Sequence, residues 1–472
     1  MELTIGEILD VTGGRTLQPG RKNSVFNVNI SGISTDSRKL KRGELFVALK
    51  GKRFDGDDFV TDALKKGAIG AIVSEQNSKL RKLLENLQLT TYNFIIQVPD
   101  TLKALGDIAQ YWRRKFKIPL IAITGSCGKT TTREIISSML SSKFKVLKSP
   151  HNFNNLIGLP LTIFNLALHD EVAVVEVGMS VSGEIKRLTE IAQPQIAVIT
   201  NVGKAHMEFF DSLEDIAEAK AELLQTCSNL SVSVLNRDDE FFPYLLSKTE
   251  AKVITFGMHK ESDFWAERIT FDSLGRATFY LNGEKKVKLP FPGRGNIYNV
   301  LASLATVSVM GMKIEEAVSS INHVVLPSGR NDFYRMNGIY ILDDTYNANP
   351  SSLLNLLETV ERIKVRNKKI LVLGDMLQLG RIADEEHKKI GKLISDSSVD
   401  VLLTIGKKAE LTAKAISKNK RVWHFKDTVA AKDKLEALLE KGDLLAIKGS
   451  RMTGMERLLP GECREEALLN RA

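Results

Sequence analysis

The chain has 472 residues, of which 43% are hydrophobic and 26% charged, with a net charge of +9; this length bounds it at about two to four domains, each able to bury a core. No apolar run of about eighteen residues occurs, which excludes a membrane-crossing helix, and the acidic, amphipathic start Glu2–Asp10 lacks the basic-then-apolar layout of a secretion signal. Cys127, Cys227 and Cys463 show neither a pairing nor a metal-binding spacing, so a reducing, cytoplasmic setting is expected.

Residues 1–116 carry short strand-like pieces, among them Glu44–Leu49 and Gly70–Val73, and close on a helical stretch from Thr101 to Phe116. Ile118-Pro119 marks a boundary. Residues 117–325 alternate strands (Leu120–Thr124, Val172–Val177, Ile196–Thr200, Val232–Leu235) with helices (Lys129–Ser142, Gly183–Ala192, Leu213–Thr226, Asn296–Met310). Apolar runs alternating with amphipathic helices predict a mainly parallel sheet covered on both faces. Pro327-Ser328-Gly329-Arg330 reads as a hinge. Residues 326–472 repeat the alternation, with strands at Tyr340–Asp343, Ile370–Leu373, Val401–Ile405 and Leu444–Ile447, and predict a second doubly wound domain. The expected fold is therefore α/β in three domains: a small N-terminal one, a central doubly wound one and a C-terminal Rossmann-like one.

The strongest chemical signal lies between the first central strand and its helix. Thr124-Gly125-Ser126-Cys127-Gly128-Lys129-Thr130-Thr131 is a glycine loop opening a helix, the arrangement that holds a triphosphate. Small residues let backbone N–H groups turn inward, Lys129 reaches the outer phosphates, and Thr130 offers a hydroxyl to Mg²⁺. The usual loop has a further glycine where this chain has Ile123.

Three side chains stand out around the same sheet edge. Glu176 sits in a strand that otherwise reads as buried; it needs a partner, which is either a metal ion or a structural contact. His206 falls just past a strand end, as a ligand or as an ordinary structural histidine. Lys220 shares the apolar face of its helix with Ile216 and Leu224, so it either snorkels to water or loses its charge near a metal site. Two loops, His151–Asn155 and Asp343–Ser351, carry turn-forming asparagines. The second also places two carboxylates at a strand end. The positive charge is scattered in short clusters such as Lys364–Lys369. It reads as a solvated surface suited to anionic small substrates rather than as a nucleic-acid track.

In order and over nearly the whole chain, these segments resemble the Mur ligases, ATP-dependent amide-forming enzymes of cell-wall precursor synthesis. The resemblance rests on the phosphate loop, which in that family also lacks the earlier glycine, on Asn152–Pro160, on Glu176-Val177-Gly178-Met179, on Asn201–Glu208 and on Ala219-Lys220-Ala221-Glu222. At the ends, Ser34–Arg38, Gly43–Gly51 and Phe54-Asp55-Gly56 are similar to the family's nucleotide-sugar domain. Asp344–Pro350, Leu373–Leu377 and Lys448–Arg451 are similar to its D-alanyl-D-alanine-adding branch. Asp57, Gly295 and Gln378 stand where the family commonly has His, His and Glu.

The resemblance implies ATP and Mg²⁺, with UDP-N-acetylmuramoyl-tripeptide and D-alanyl-D-alanine as small-molecule substrates. It implies neither nucleic acid nor membrane insertion, and a monomer is expected. Thr124–Thr131, Asn296, Arg330 and Asp344 would bind ATP. Thr35, Asp36, Ser37, Arg38, Asn154, Asn155, Tyr346, Asn347 and Asn349 would bind the other substrates. Thr130, Glu176, His206 and a carbamoylated Lys220 would serve the metal, and Lys129, Glu176, His206 and Lys220 the chemistry. The rival readings are a Mur-type ligase adding another amino acid and a nucleic-acid-stimulated ATPase.

Overall fold

A computed structural model describes residues 2–17, 26–51, 54–76, 94–150, 152–226, 229–417 and 419–460. His151, Cys227 and Cys463 lie outside the described residues. Among those described, the chain builds three α/β sheets and one small two-stranded pairing.

The first sheet orders its strands Arg15–Thr16, Phe94–Val98, Gly70–Ser74, Glu44–Val47 and Gly32–Ser34, parallel except for the first pair. Its core is aliphatic, with Leu45, Val47, Ile72 and Ile96 fully buried. The helix Thr101–Arg114, capped by Asp100, closes this sheet and packs on the central unit. There Arg113 donates to Ala192 O and Ile118 O, so its buried guanidinium ties the helix to the start of the central sheet.

The central sheet has nine strands, in the order Lys285–Pro292, Arg276–Leu281, Phe264–Phe271, Lys252–Gly257, Val232–Asn236, Ile196–Ile199, Leu120–Thr124, Val172–Glu176 and Val146–Lys148. The last six are parallel, and the four from Val232–Asn236 to Val172–Glu176 are buried on both faces, which is why they read as continuous apolar runs. Leu120–Thr124 lies between Ile196–Ile199 and Val172–Glu176, the strands to which the chain returns on either side. Ligands of open α/β sheets bind at such a reversal, beyond the carboxyl ends of the strands.

The other edge departs from the sequence expectation. The strands Phe264–Phe271, Arg276–Leu281 and Lys285–Pro292 form an antiparallel extension. Their alternating burial hides them from a search for apolar runs. The signal was local: Asn282-Gly283 has positive φ at both residues (50° and 79°), the turn that suits a tight hairpin.

The third sheet orders Asp332–Met336, Ile339–Asp344, Leu444–Lys448, Lys369–Gly374, Val401–Ile405 and Arg421–Phe425. It is parallel apart from its first strand. Its first helix, Pro350–Arg362, starts on an Asn349–Ser352 capping box with Pro350 at its first turn. The far end of that helix meets the antiparallel extension: Lys364 N donates to Ser273 O at 2.8 Å, Leu274 bridges Ile363, and Arg362 stacks on Phe271. No described helix is long and apolar enough to cross a membrane.

Candidate active site

The strand Leu120–Thr124 delivers the glycine loop to the sheet's reversal point, and the helix Lys129–Leu140 leaves it. Two glycines are required by the backbone. Gly125 has φ 147° and Gly128 φ 88°, and an added Cβ would lie 1.9 Å from Thr200 Oγ1 and 2.3 Å from Asn299 Oδ1 respectively. The loop is stitched to the next strand end. Ser126 N donates to Asn201 O, Ser126 Oγ bonds Gly203 on both sides, and Cys127 N donates to Asn201 Oδ1. No side chain caps the helix N-terminus at Gly128, so its first N–H groups remain for an anion.

Lys129 folds back on Gly125 O, and burial lowers its pKa, against which the Glu176 carboxylate acts. Burial also raises the pKa of the Cys127 thiol, which fits a small loop-filling residue.

Thr130 is buried, and its Oγ1 has no hydrogen-bond partner. His206 Nδ1 is buried without one as well. Glu176 is fully buried, and its Oε2 accepts from Asn154 Nδ2 at 3.3 Å. Its Oε1 lies 2.8 Å from Arg133 Nη1 but outside hydrogen-bond alignment. An unsatisfied buried hydroxyl, imidazole nitrogen and carboxylate oxygen around one phosphate loop suit a hard divalent cation. Among the described residues no three His, Cys, Asp or Glu side chains gather into a ready cage. A cation here would therefore share protein ligands with phosphate oxygens.

Burial and then the ammonium charges of Lys129 and Lys220 bring the His206 pKa down to about 4. His206 also adopts φ 60°, a costly conformation for a residue with a Cβ. Lys220 is 3% exposed, so it does not snorkel. Burial, then Lys129, pushes its pKa well below the ordinary lysine value, with only the Asp239 carboxylate opposing.

The third sheet supplies the opposite wall. Asn349 Nδ2 donates to Ser126 O at 3.3 Å. Buried Lys448 pairs with Asp344 and donates to Asn347 O at 2.8 Å. Arg330 stacks on Tyr346 at 3.9 Å, with Arg451 at 5.6 Å from the same ring. The charges of Lys448, Asp344 and Arg330 all reach Cys127. The two adjacent carboxylates separate in role. Asp344 faces the cleft, whereas Asp343 is fully buried and accepts from Gly329 N, Thr345 N and Thr345 Oγ1.

The remaining predicted residues sit elsewhere or act locally. Thr35–Arg38 follow the strand Gly32–Ser34. There the exposed Arg38 guanidinium donates to Asp36 and holds the Asp36 carboxyl down at about 2 against burial, and Ser37 O accepts from Lys66. Asn155 Oδ1 accepts from Ile157 N and Gly158 N at the start of a short helix. Asn296 is buried, donating to Pro292 O and accepting from Asn299 Nδ2. Asn299, which the sequence reading missed, then stands over Gly128 and accepts from Thr132 Oγ1. Arg133 was missed too. Its signal was a basic residue one turn beyond Lys129, on the buried side of the helix. Gly295 faces the Asn355 side chain of the third sheet's first helix.

Known proteins match this arrangement along its length. Three family models align in order: the Mur ligase family catalytic domain over residues 29–113, the Mur ligase middle domain over 123–307 and the Mur ligase glutamate ligase domain over 329–451. The chain is 34% identical to the UDP-N-acetylmuramoyl-tripeptide–D-alanyl-D-alanine ligase of Bacillus subtilis, covering 97% of each. It is 30% identical to the Escherichia coli protein of that name, covering 97% of this chain and 98% of the other. Its fold is similar to a crystal structure of MurF from Acinetobacter baumannii, with a TM-score of 0.86 at 28% identity over 97% of this chain and 98% of the other. It is also similar to MurF ligase from Thermotoga maritima in complex with ADP, with a TM-score of 0.78 at 29% identity over 91% and 96%. A phosphate loop facing a third α/β sheet, in a chain that aligns end to end with these proteins, belongs to the Mur ligase family.

Proposed function

We infer that this enzyme is an ATP-dependent ligase joining D-alanyl-D-alanine to UDP-N-acetylmuramoyl-tripeptide, the step that completes a cell-wall precursor peptide. The observation that carries the reading is the end-to-end similarity to ligases of that name, together with a site in which phosphate-loop and third-sheet groups converge. The acceptor carboxylate takes the γ-phosphoryl group of ATP, releasing ADP. The dipeptide amine then attacks the acyl carbon, and phosphate leaves as the amide forms.

The protein's part is placement and charge neutralisation. The loop amides and Lys129 hold the outer phosphates. Arg330, Asp344 and Lys448 close the third sheet over the nucleotide, which keeps water from the acyl phosphate. Thr130, Glu176, His206 and Lys220 would hold Mg²⁺, with Lys220 carrying a CO₂-derived carbamate in place of its buried amine. Mg²⁺ supplies neutralisation of the charge that spreads over the transferring phosphoryl oxygens. Thr35–Arg38 would take the nucleotide-sugar end, in a division into units 1–116, 117–325 and 326–472. We read the chain as a monomer working in the cytoplasm.

Phosphate release from ATP, measured with matched acceptor and amine pairs, tests the reading. Release is expected with UDP-muramoyl-tripeptide plus D-alanyl-D-alanine. Release only with the dipeptide acceptor plus a diamino acid would overturn it. Intact-protein mass spectrometry at neutral pH tests the carbamate: a gain of one CO₂ is expected, and its loss in Lys220→Ala.

A further inference from the structure

Arg133 lies one turn beyond Lys129 on the same helix, so both cations face the same way. It is 2% exposed and holds two carboxylates at once. Nη1 reaches Glu176 Oε1 at 2.8 Å, while Nε donates to Glu134 Oε1 at 3.1 Å and Nη2 pairs with the same oxygen. Glu134 Oε2 in turn takes Lys148 Nζ at 2.5 Å, at the rim of a groove lined by Glu134, Ser137, Lys148 and His323. Glu176 is thus gripped from two sides, by Arg133 and by Asn154.

A buried carboxylate left without its cation draws in another. The cation at hand is Lys129, whose charge already feels Glu176. A Lys129–Glu176 pair would use up the ammonium meant for phosphate and the carboxylate meant for metal. An arginine prevents this because its planar fork meets two carboxylates in fixed directions. Because the Arg133–Glu176 contact is not aligned as a hydrogen bond, Oε1 keeps a lone pair for another ligand.

We propose that Arg133 is a positioning residue of the metal–nucleotide site, keeping Glu176 aimed and keeping Lys129 free for phosphate. This rests on the placement of the cation at Thr130 and Glu176 given above. An ordinary buried ion pair would affect folding alone.

The test is ADP binding to the full chain by calorimetry, across Mg²⁺ concentrations and with chelator. In Arg133→Met, the Mg²⁺ concentration that half-maximally tightens ADP rises about tenfold to a hundredfold. Metal-free ADP affinity also falls, because Glu176 captures Lys129. The double variant Arg133→Met/Glu176→Gln regains the metal-free affinity of the wild type, a gain from a second deletion that a purely structural role would not give. Arg133→Lys, which keeps the charge and loses the fork, lies between. Wild-type Mg²⁺ requirement and metal-free affinity in Arg133→Met overturn the proposal, whatever its melting temperature. Should that variant not fold, Arg133→Lys and Glu134→Gln carry the comparison: both are expected to raise the Mg²⁺ requirement severalfold, and wild-type values in both overturn it. If ADP binding to the wild type ignores Mg²⁺, the cation placement itself falls and this proposal with it.

Discussion

Lys204 Nζ stands 2.5 Å from Glu386 Oε1 and joins the loop that carries His206 to the helix Ala383–Ser395 of the third sheet. Glu386 is nearly buried and Lys204 half-exposed. Around them Glu208 N donates to Gln378 O at 3.1 Å, and Arg381 reaches Asp211 O. This cluster fastens the third sheet against the His206 side of the cleft. Glu386→Gln should loosen it by about 1 kcal/mol, since the freed Lys204 is rehydrated. The expected result is a roughly fivefold loss of kcat/KM with a larger radius of gyration in X-ray scattering. Unchanged values for both would show that the pair plays no part in closure.

Thr130→Val separates stability from activity. The hydroxyl it removes is buried and unpartnered, so the fold should keep its stability or gain about 1 kcal/mol. Activity should fall about a hundredfold or more, as when one preorganised charge-stabilising group is deleted. Urea denaturation and phosphate release on the same sample check both signs. A loss of stability would mean that the hydroxyl has a structural partner.

Asp343 belongs to the linker rather than to the chemistry. Its oxygens accept from Gly329 N and Thr345 N at 3.1 Å each and from Thr345 Oγ1 at 2.7 Å. An asparagine there has one oxygen and a group that only donates. Asp343→Asn should therefore cost about 2 kcal/mol in the third unit, with faster amide exchange at Gly329 or Thr345. Protection of both amides equal to wild type would contradict this.

Glu7 predicts a pH dependence. Burial alone would raise its pKa, but the Lys115 ammonium, the Thr4 N–H and the Tyr111 hydroxyl overcome that and bring it from 4.5 to about 2. The folded carboxyl is thus a stronger acid than the unfolded one. Its stabilisation is complete above pH 4.5 and is lost as the pH falls through about 2. Because both partners are partly exposed (34% and 28%), the contribution is about 1 kcal/mol after screening. Glu7→Gln should lower the unfolding free energy by that amount at neutral pH and by progressively less below pH 4.5. A difference that stays constant down to pH 2.5 would refute the assignment.

The sequence made the phosphate loop legible because its requirements are local: glycines at strained turns and a lysine opening a helix. Lys220 was legible as a charge on an apolar face, and the structure buries it there. Asn349 was legible as a loop residue, but its cap on Pro350–Arg362 and its bond to Ser126 are separate facts, and the second depends on a sheet far along the chain. Arg133 and Asn299 were not legible for the same reason. Their partners, Glu176 and Gly128, come from distant segments that only the folded sheet brings near. Apolar runs found the parallel strands, whereas the half-exposed hairpin strands needed the Asn282-Gly283 turn to be read first.

The contacts of the third sheet differ in kind from one side to the other. Around Ile363 it is held by a backbone hydrogen bond, a β-bridge and a guanidinium stacked on Phe271, beside the covalent linker. At Glu386 it is held by an ion pair with a half-exposed lysine. Dissolved salt screens the second far more than the first. Rising ionic strength therefore weakens the hold at Glu386 more than the hold at Ile363.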